Sequence, residues 1–449
     1  MAFWKLFVEN YGRIKSAEIE MAPLTLFVGD NNSGKSFLLS LLWGIENLGI
    51  ETILGYSYVE TEEPAVLFSW ISKQINITIK NGTHSVSVAE IKEPLEKLLN
   101  NGLEKNKNNL VQSIFNSKQI SIGKIAIKFC NISDINLVFQ VDNSGKLQMS
   151  IEDHAGYYGI VENFLNDKSL CMDSYILDFL LKGIYCLIMN IPMHEITTGC
   201  IYLPAARTGF MLTKDIINKV GRKNTFNISD DKEIITPFVR PINHFLDIIG
   251  DMSLDSLGND KFLKLALDME KEMADGAVEI NTMPNKEVQY IPNGHKKGIP
   301  LRLTSAVVTE LSPMILILKH INKIEKFYYE EPEMCLHPQL QHKMGKIICR
   351  AVNSGINMII TTHSDIILQH INNMIKSSKC EERIKICEEL GYTKQDFLTC
   401  EQVKVYQLES RARAKTEVKE LLCGEDGFIV PTFNNALNKI MDEAYKIQG

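Results

Sequence analysis

The chain has no C-x-x-C pair and no Cys/His cluster at zinc spacing, so a zinc knuckle is excluded and its ten cysteines are expected to be free thiols. It has no charged-then-apolar leader; Met1-Ala2-Phe3-Trp4-Lys5 lacks the layout of a secretory signal. It also has no apolar run clean enough to span a membrane. The most apolar stretch, Tyr175 to Ile191, carries Asp178 and Lys182 and suits a buried helix better. These absences set the expectation of a cytoplasmic protein. Basic charge is not in excess: the net charge of −7 gives no general pull toward nucleic acid and leaves only local patches for DNA. There is no internal repeat, long heptad run or low-complexity tract, which excludes a solenoid or an extended coiled-coil arm. What remains is 449 residues, 45% hydrophobic and 23% charged, an ordinary balance for a globular protein of two or three packed units.

The chain is organised around Gly29-Asp30-Asn31-Asn32-Ser33-Gly34-Lys35-Ser36, which closes a strand-like run (Leu24 to Val28) and opens a helix-like one (Phe37 to Trp43). G-x-x-x-x-G-K-[ST] between a strand and a helix is a phosphate-binding loop. Its glycines let successive backbone N–H groups turn inward, and the following helix adds unpaired donors and a positive dipole end. Gly29, Asn31, Asn32, Ser33, Gly34, Lys35, Ser36 and Phe37 are therefore the candidate nucleotide-binding residues. Lys35 would reach the β- and γ-phosphates, and the Ser36 hydroxyl would ligate Mg²⁺.

Upstream, residues 3 to 28 read as short strands, with Arg13 in the turn between two of them, either near the nucleotide or simply part of a hairpin. From 50 to 155 the pattern is an antiparallel lobe: strands at Ile75 to Ile79, Ser85 to Val88, Gly123 to Phe129, Asn136 to Val141 and Lys146 to Ile151. Asn81-Gly82 and Asn143-Ser144-Gly145 mark its turns, and a polar helix, Lys92 to Phe115, interrupts it. Residues 157 to 200 read as helices, Ile201 to Leu203 as a strand, and 210 to 275 as a helical insertion bearing Lys214, Lys219, Arg222 and Lys223 as a solvated basic face. A β-rich stretch (277 to 303) leads to a helix at Ala306, and then β-α-β-α order follows, which argues for a mainly parallel sheet covered by helices. In the tail, Val403 to Glu409 reads as a strand, and Thr416 to Leu422 and Phe433 to Lys446 as helices. The expected fold class is α/β. Its parts are an N-terminal portion of the head (1–50), an antiparallel lobe with helices (51–200), an insertion (201–297), a C-terminal portion of the head (298–375) and a tail (376–449).

Two further stretches carry chemistry. Phe327-Tyr328-Tyr329-Glu330-Glu331-Pro332-Glu333 is a buried strand ending in acids. Glu330 suits the metal side, through water, and Glu331 a general base. Thr361-Thr362-His363-Ser364 ends the next strand, where His363 can reach a γ-phosphate or the attacking water.

Taken with Asn10-Tyr11-Gly12-Arg13-Ile14-Lys15 and the E-E-P-E-x-x-L-H-P run at 330 to 338, these motifs resemble the ATP-binding-cassette class of ATPases. The nearer likeness is to its branch of RecF, SMC and OLD-type proteins, which includes stand-alone ATPases of the AAA15 and AAA21 type. The resemblance implies an ATPase head with a mixed, mainly parallel sheet, ATP and Mg²⁺ as ligands, and a homodimer or higher homo-oligomer closed head-to-tail on ATP. It implies that Ser305 binds the γ-phosphate of the other protomer as the signature serine. The branch usually has a glycine after that serine; Ala306 and Val307 stand here, which implies slow turnover. OLD-type nucleases continue after T-T-H-S into a metal-binding TOPRIM domain, whereas about 85 residues follow here, so a stand-alone ATPase is expected. Its layout resembles the ATPase halves of two-gene anti-phage systems such as PARIS and Septu, which act with a separately encoded effector, a nuclease or toxin. A RecF-like DNA repair ATPase and a non-hydrolysing, ATP-stabilised scaffold are the alternatives.

Overall fold

The computed structural model describes residues 4–54, 62–143, 146–153, 156–164, 181–186, 188–189, 199–213, 238–252, 259–281, 287–410, 415–431 and 441–447. In chain order the elements are β1 (Trp4–Tyr11), β2 (Ile14–Glu20), β3 (Leu24–Gly29), α1 (Lys35–Asn47) and α2 (Gly49–Leu54). Next come α3 (Glu62–Asn81), β4 (Thr83–Ser87), α4 (Lys92–Phe115), β5 (Ile122–Phe129), β6 (Asn136–Val141), β7 (Lys146–Asp153) and β8 (Gly156–Phe164). After β9 (Cys200–Leu203) follow α5 (Arg240–Asp251), α6 (Asp260–Met269), β10 (Gly276–Ile280), β11 (Val288–Pro292) and β12 (Ile299–Pro300). The last group is α7 (Ala306–His320), β13 (Lys326–Glu330), α8 (Pro338–Asn353), β14 (Asn357–Thr362), α9 (Asp365–Ser378), α10 (Glu381–Glu389), β15 (Val403–Glu409) and β16 (Thr416–Leu421).

These elements form two compact units. The first comprises Met1–Met21, Gly44–Ser113 and Ser117–Gly199. In it β1 lies between β2 and β5, antiparallel to both, with Leu6 opposite Ile19 and Ile127, so that alternate apolar residues share one buried face. A second antiparallel sheet runs β4-β6-β7-β8.

The second unit comprises Ala22–Trp43, Ile114–Asn116 and Cys200–Gly449. Its strands run in the order β16-β15-β3-β14-β13-β9. Every neighbouring pair from β15 to β9 is parallel, and β16 is antiparallel to β15. All six residues of β3 are buried, as expected of a parallel strand covered on both faces. Helix α7 is buried without a break from Val308 to Leu318, which makes it a core helix and not a surface one. Helices α8 and α9 approach closely at Gly345, where a Cβ would press on the His370 ring at 2.9 Å. Among the described residues no helix is long and apolar enough to cross a membrane.

Most elements lie where the sequence pattern puts them, and Lys92–Phe115 and Val403–Glu409 match end to end. Several expectations fail for identifiable reasons. Ile75 to Ile79 lies inside α3, because the face that packs is Leu67, Ile71, Gln74 and Thr78, at helical spacing. Asn81-Gly82 is accordingly no hairpin turn: Gly82 (φ +79°) ends α3, its N–H donating to the Thr78 carbonyl at 2.7 Å. Residues 157 to 164 form strand, with Met149 opposite Val161 and Lys146 opposite Phe164 in the β7–β8 ladder. The segment Thr416–Leu421 is strand β16, because pairing with β15 (Leu408 opposite Val418) overrides its helix-forming Lys and Glu content. Free thiols are also not the rule throughout, since Cys400 and Cys423 are disulfide-bonded, with Cα atoms 6.1 Å apart. The β15–β16 hairpin brings these two together, a proximity no sequence spacing announces. Residues 144–145, 214–237 and 432–440 lie outside the described residues. With them go part of the Asn143-Ser144-Gly145 turn, the basic cluster Lys214, Lys219, Arg222 and Lys223, and most of the last predicted helix.

His370, on α9, makes an edge-on ring contact with His342 at 4.6 Å, and its Nε2 has no hydrogen-bond partner. Burial, aided by the neighbouring His342, pushes its pKa down to about 4. The unfolded chain therefore binds this proton more readily than the folded one, and stability falls as pH drops from 6.5 toward 4. The loss from this one group is on the order of 3 kcal/mol. Urea unfolding at pH 7 and pH 4.5 should show a clearly smaller pH dependence in His370→Gln than in wild type.

Candidate active site

The loop after β3 begins at a glycine for a steric reason. Gly29 has φ +147°, and a Cβ there would collide with the backbone carbonyl oxygen of Leu408, one strand away on β15. The chain then passes through left-handed Asn32 (φ +59°) and Gly34 (φ +104°) before α1 starts at Lys35. Ser33 is fully buried, its hydroxyl has no partner, and its N–H donates to the Asp30 carbonyl at 3.3 Å. The Lys35 ammonium folds back over the loop and donates to the carbonyls of Gly29 (3.0 Å) and Asp30 (2.9 Å). Burial lowers its pKa, and the charges of Glu331, Asp30 and Glu333 work the other way. Asn31, Asn32, Ser36 and Phe37 are exposed, with Phe37 stacked on Phe115 at 4.6 Å.

Parallel pairing places the acidic strand end beside this loop. Val28 of β3 is opposite Thr362 of β14, and Thr361 is opposite Glu330 of β13. Glu330 turns its carboxylate toward β9, where Oε1 accepts from the Tyr202 hydroxyl (2.6 Å) and Oε2 from the Ala205 N–H (2.9 Å). Tyr202 in turn lies 3.1 Å from the Ser40 hydroxyl of α1. Since the tyrosine proton goes to Glu330, Ser40 is the donor in that pair, and Glu330 is tied to the helix that follows the loop.

Glu331 has a left-handed backbone (φ +42°), unusual for a residue with a side chain. Its N–H donates to the Thr361 carbonyl (2.9 Å), and its carboxylate lies 3.6 Å from His363 Nε2. Burial and the nearby Lys35 hold the His363 pKa below its usual 6.5, against a smaller opposite pull from Asp30, so the ring is neutral at pH 7.

The predicted loop residues, Glu330, Glu331 and His363 are thus gathered at the carboxyl ends of adjacent parallel strands. Ser305 is placed differently. It caps α7, its hydroxyl accepting from Val308 N–H at 3.4 Å, and it makes no hydrogen bond to the others. It is exposed, next to Leu303, which is 70% exposed. Arg13 belongs to the first unit, exposed in the turn after β1 beside left-handed Gly12.

Two residues of this site escaped the sequence reading. Glu333 accepts from the His363 N–H (2.5 Å) and from the Thr362 hydroxyl (2.9 Å), which anchors the T-T-H-S turn; burial raises its pKa. Arg207 is completely buried and reaches the carbonyls of Glu330 (2.6 Å) and Glu331 (3.0 Å). The acid three after Glu330 and the arginine just beyond the Ile201 strand were the available signals.

Hydroxyl and carboxylate oxygens are the donors that Mg²⁺ prefers, so the exposed Ser36 hydroxyl and Glu330 fit that ion. Both Glu330 oxygens already accept protein hydrogen bonds, which suits contact through water. No group of three His, Cys, Asp or Glu among the described residues could hold a metal ion.

Residues 1–368 match the family model for the AAA ATPase domain (AAA_15). The chain belongs to this ATPase family. The match agrees with the AAA15-type resemblance of its motifs. No curated protein matches the chain significantly. Solved structures similar to this AAA_15 chain include an SMC head bound to the C-terminal winged-helix domain of ScpA (10% identity, 94% of this chain and 98% of that one, TM-score 0.37). Others are the SMC head domain from Thermotoga maritima (9%, 93% and 98%, 0.33) and a Pyrococcus furiosus Smc head with an extended coiled coil bound to the C-terminal domain of ScpA (11%, 100% and 100%, 0.36). Similarity at that level adds nothing to the family assignment.

Gly29→Ala should lower unfolding stability by about 2 kcal/mol or more in urea titration, because it combines a disfavoured φ with a backbone collision. It should also weaken nucleotide binding by displacing the loop.

Proposed function

We propose that this chain binds ATP with Mg²⁺ at residues 29 to 36 and hydrolyses it slowly, as a homodimer closed on two nucleotides. The observation that carries the reading is the pairing of Glu331 with a neutral His363 at 3.6 Å, beside the loop lysine. The loop N–H groups and the N-terminus of α1 would hold the phosphates, and Phe37 and the Asn31-Asn32 turn would border them. Lys35, which now spends its donors on loop carbonyls, would exchange them for phosphate oxygens. Ser36 and, through water, Glu330 would hold Mg²⁺, which when bound neutralises phosphate charge.

Glu331 would take a proton from water as its oxygen bonds to the γ-phosphorus and the bond to the ADP oxygen breaks. Neutral His363 would orient that water or a γ-oxygen by hydrogen bonding. Ser305 of the second protomer, at the N-terminus of α7, would contact the same γ-phosphate, making closure of the dimer sensitive to which nucleotide is bound. We further propose that this switch governs a separately encoded effector in anti-phage defence, with the protein in the cytoplasm. The support for that step is the motif resemblance to the ATPase halves of such systems. The acidic net charge disfavours the DNA-repair alternative.

Glu331→Gln should keep ATP affinity, accumulate the dimer in size-exclusion chromatography and lose phosphate release by about 100-fold or more. Lys35→Ala should lose ATP binding, and with it any phage protection that the chain confers when co-expressed with its neighbouring gene. Because burial and Lys35 hold the His363 pKa below its ordinary value, any acid limb that this ring sets in the turnover profile should lie below pH 6.5. Phosphate release by Glu331→Gln at the wild-type rate would overturn the base assignment.

A further inference from the structure

We propose that Arg207 is a positioning residue for Glu331, and that through Glu310 it makes the setting of that base depend on helix α7. The inference rests on the reading of Glu331 as the general base and adds to it a device that controls the base.

The starting point is the backbone of Glu331. A left-handed φ of +42° is disfavoured for a residue with a Cβ and persists only where its surroundings over-determine it. Here the peptide is held from both sides. On one side, Glu331 N–H donates to the Thr361 carbonyl (2.9 Å) and lies 3.3 Å from the Thr361 hydroxyl. On the other, one Arg207 NH group donates to the Glu331 carbonyl (3.0 Å) and the second to the Glu330 carbonyl (2.6 Å) and the Pro204 carbonyl (2.7 Å). The direction of the Glu331 side chain is set by this grip, since Cβ follows the backbone.

The guanidinium does not reach out of the core. It is fully buried, lies 4.6 Å over the Tyr329 ring, and forms an ion pair with Glu310, itself buried. Glu310 is completed by Thr208, which donates from its N–H (3.2 Å) and its hydroxyl (2.7 Å). Glu310 is the fifth residue of α7, the helix capped by Ser305. A displacement of α7 therefore pulls on Glu310, then on Arg207, then on the carbonyls that aim Glu331. A buried ion pair is weak evidence of a stability role, because apolar residues of similar volume can often replace it without loss. They could not grip two carbonyls.

That difference supplies the test. The double variant Arg207→Met/Glu310→Met removes both charges together and leaves neither stranded in the core. It should bind ATP within about threefold of wild type and melt at a similar temperature, while kcat falls by about tenfold or more through misplacement of the base. Added to Glu331→Gln it should cost nothing further, because the grip acts only through Glu331. If the double variant does not fold, Arg207→Lys keeps a cation beside Glu310 and loses the fork. It should show the same split, with binding kept and kcat reduced. Wild-type turnover in a folded variant would overturn the inference and leave Glu331 as the base. Parallel loss of ATP affinity and turnover would overturn it by showing a general structural role. Equal phosphate release by wild type and Glu331→Gln would instead sink the functional reading, and this inference with it.

Discussion

Parallel register is the constraint on which the chemistry depends. Because β3, β14 and β13 pair in parallel, Val28 is opposite Thr362 and Thr361 opposite Glu330, and three chain segments far apart in sequence end on one rim. A one-residue slip would exchange the side chains that face the two helical layers and carry the acidic strand end out of line with the loop. The burial of β3 from end to end makes such a slip prohibitive, so the apolar core and the geometry of the rim are specified together. This is the general habit of open parallel sheets, whose ligands gather beyond the carboxyl ends of the strands.

At that rim, charge is managed by enclosing it. Lys35, Arg207 and Glu310 are buried and Glu333 half-buried, and each meets carbonyls, hydroxyls, N–H groups or a partner of opposite sign, with Arg207 Nε left without a hydrogen-bond partner. The two acids next to each other behave differently. Glu330 is locked by Tyr202 and Ala205, whereas Glu331 keeps its carboxylate free apart from the approach of His363. Adjacent residues of one type thus acquire separate duties, one anchored and one available, from the alternation of a strand end and the left-handed turn that follows it. His363, kept neutral by burial and by Lys35, can act as a hydrogen-bonding group where a protonated ring would simply neutralise the acid.

The motif-bearing strands were legible in sequence because a buried parallel strand is a short apolar run with its chemistry at the end, as in Leu24 to Gly29 and Lys326 to Glu330. Arg207 and Glu333 were not. The role of a buried charge lies in which carbonyls and N–H groups surround it, and these come from segments over a hundred residues away or from the far end of the next strand. The strand expected at Ile75 to Ile79 failed for a related reason. Its alternating isoleucines imitate a strand, while the buried stripe includes polar Gln74 and Thr78, which a hydrophobicity pattern overlooks. The helix expected at Thr416 to Leu422 is a strand to Leu421 because β15 offers it a ladder, and partner availability outweighs local propensity.

The contact between Gly29 and the Leu408 carbonyl bears on what counts as the folding unit. Strand β15 lies beyond residue 368, where the family match ends, yet it pairs with β3 from Val403 opposite Leu24 to Leu408 opposite Gly29. A fragment stopping at 368 would leave the innermost phosphate-loop strand with a bare row of N–H and C=O groups flanked by apolar side chains. Such an edge is a template for pairing with another chain. The boundary drawn by sequence similarity is therefore not one at which this protein can be cut, and the tail serves as the seal that keeps its central strand from becoming a sticky edge.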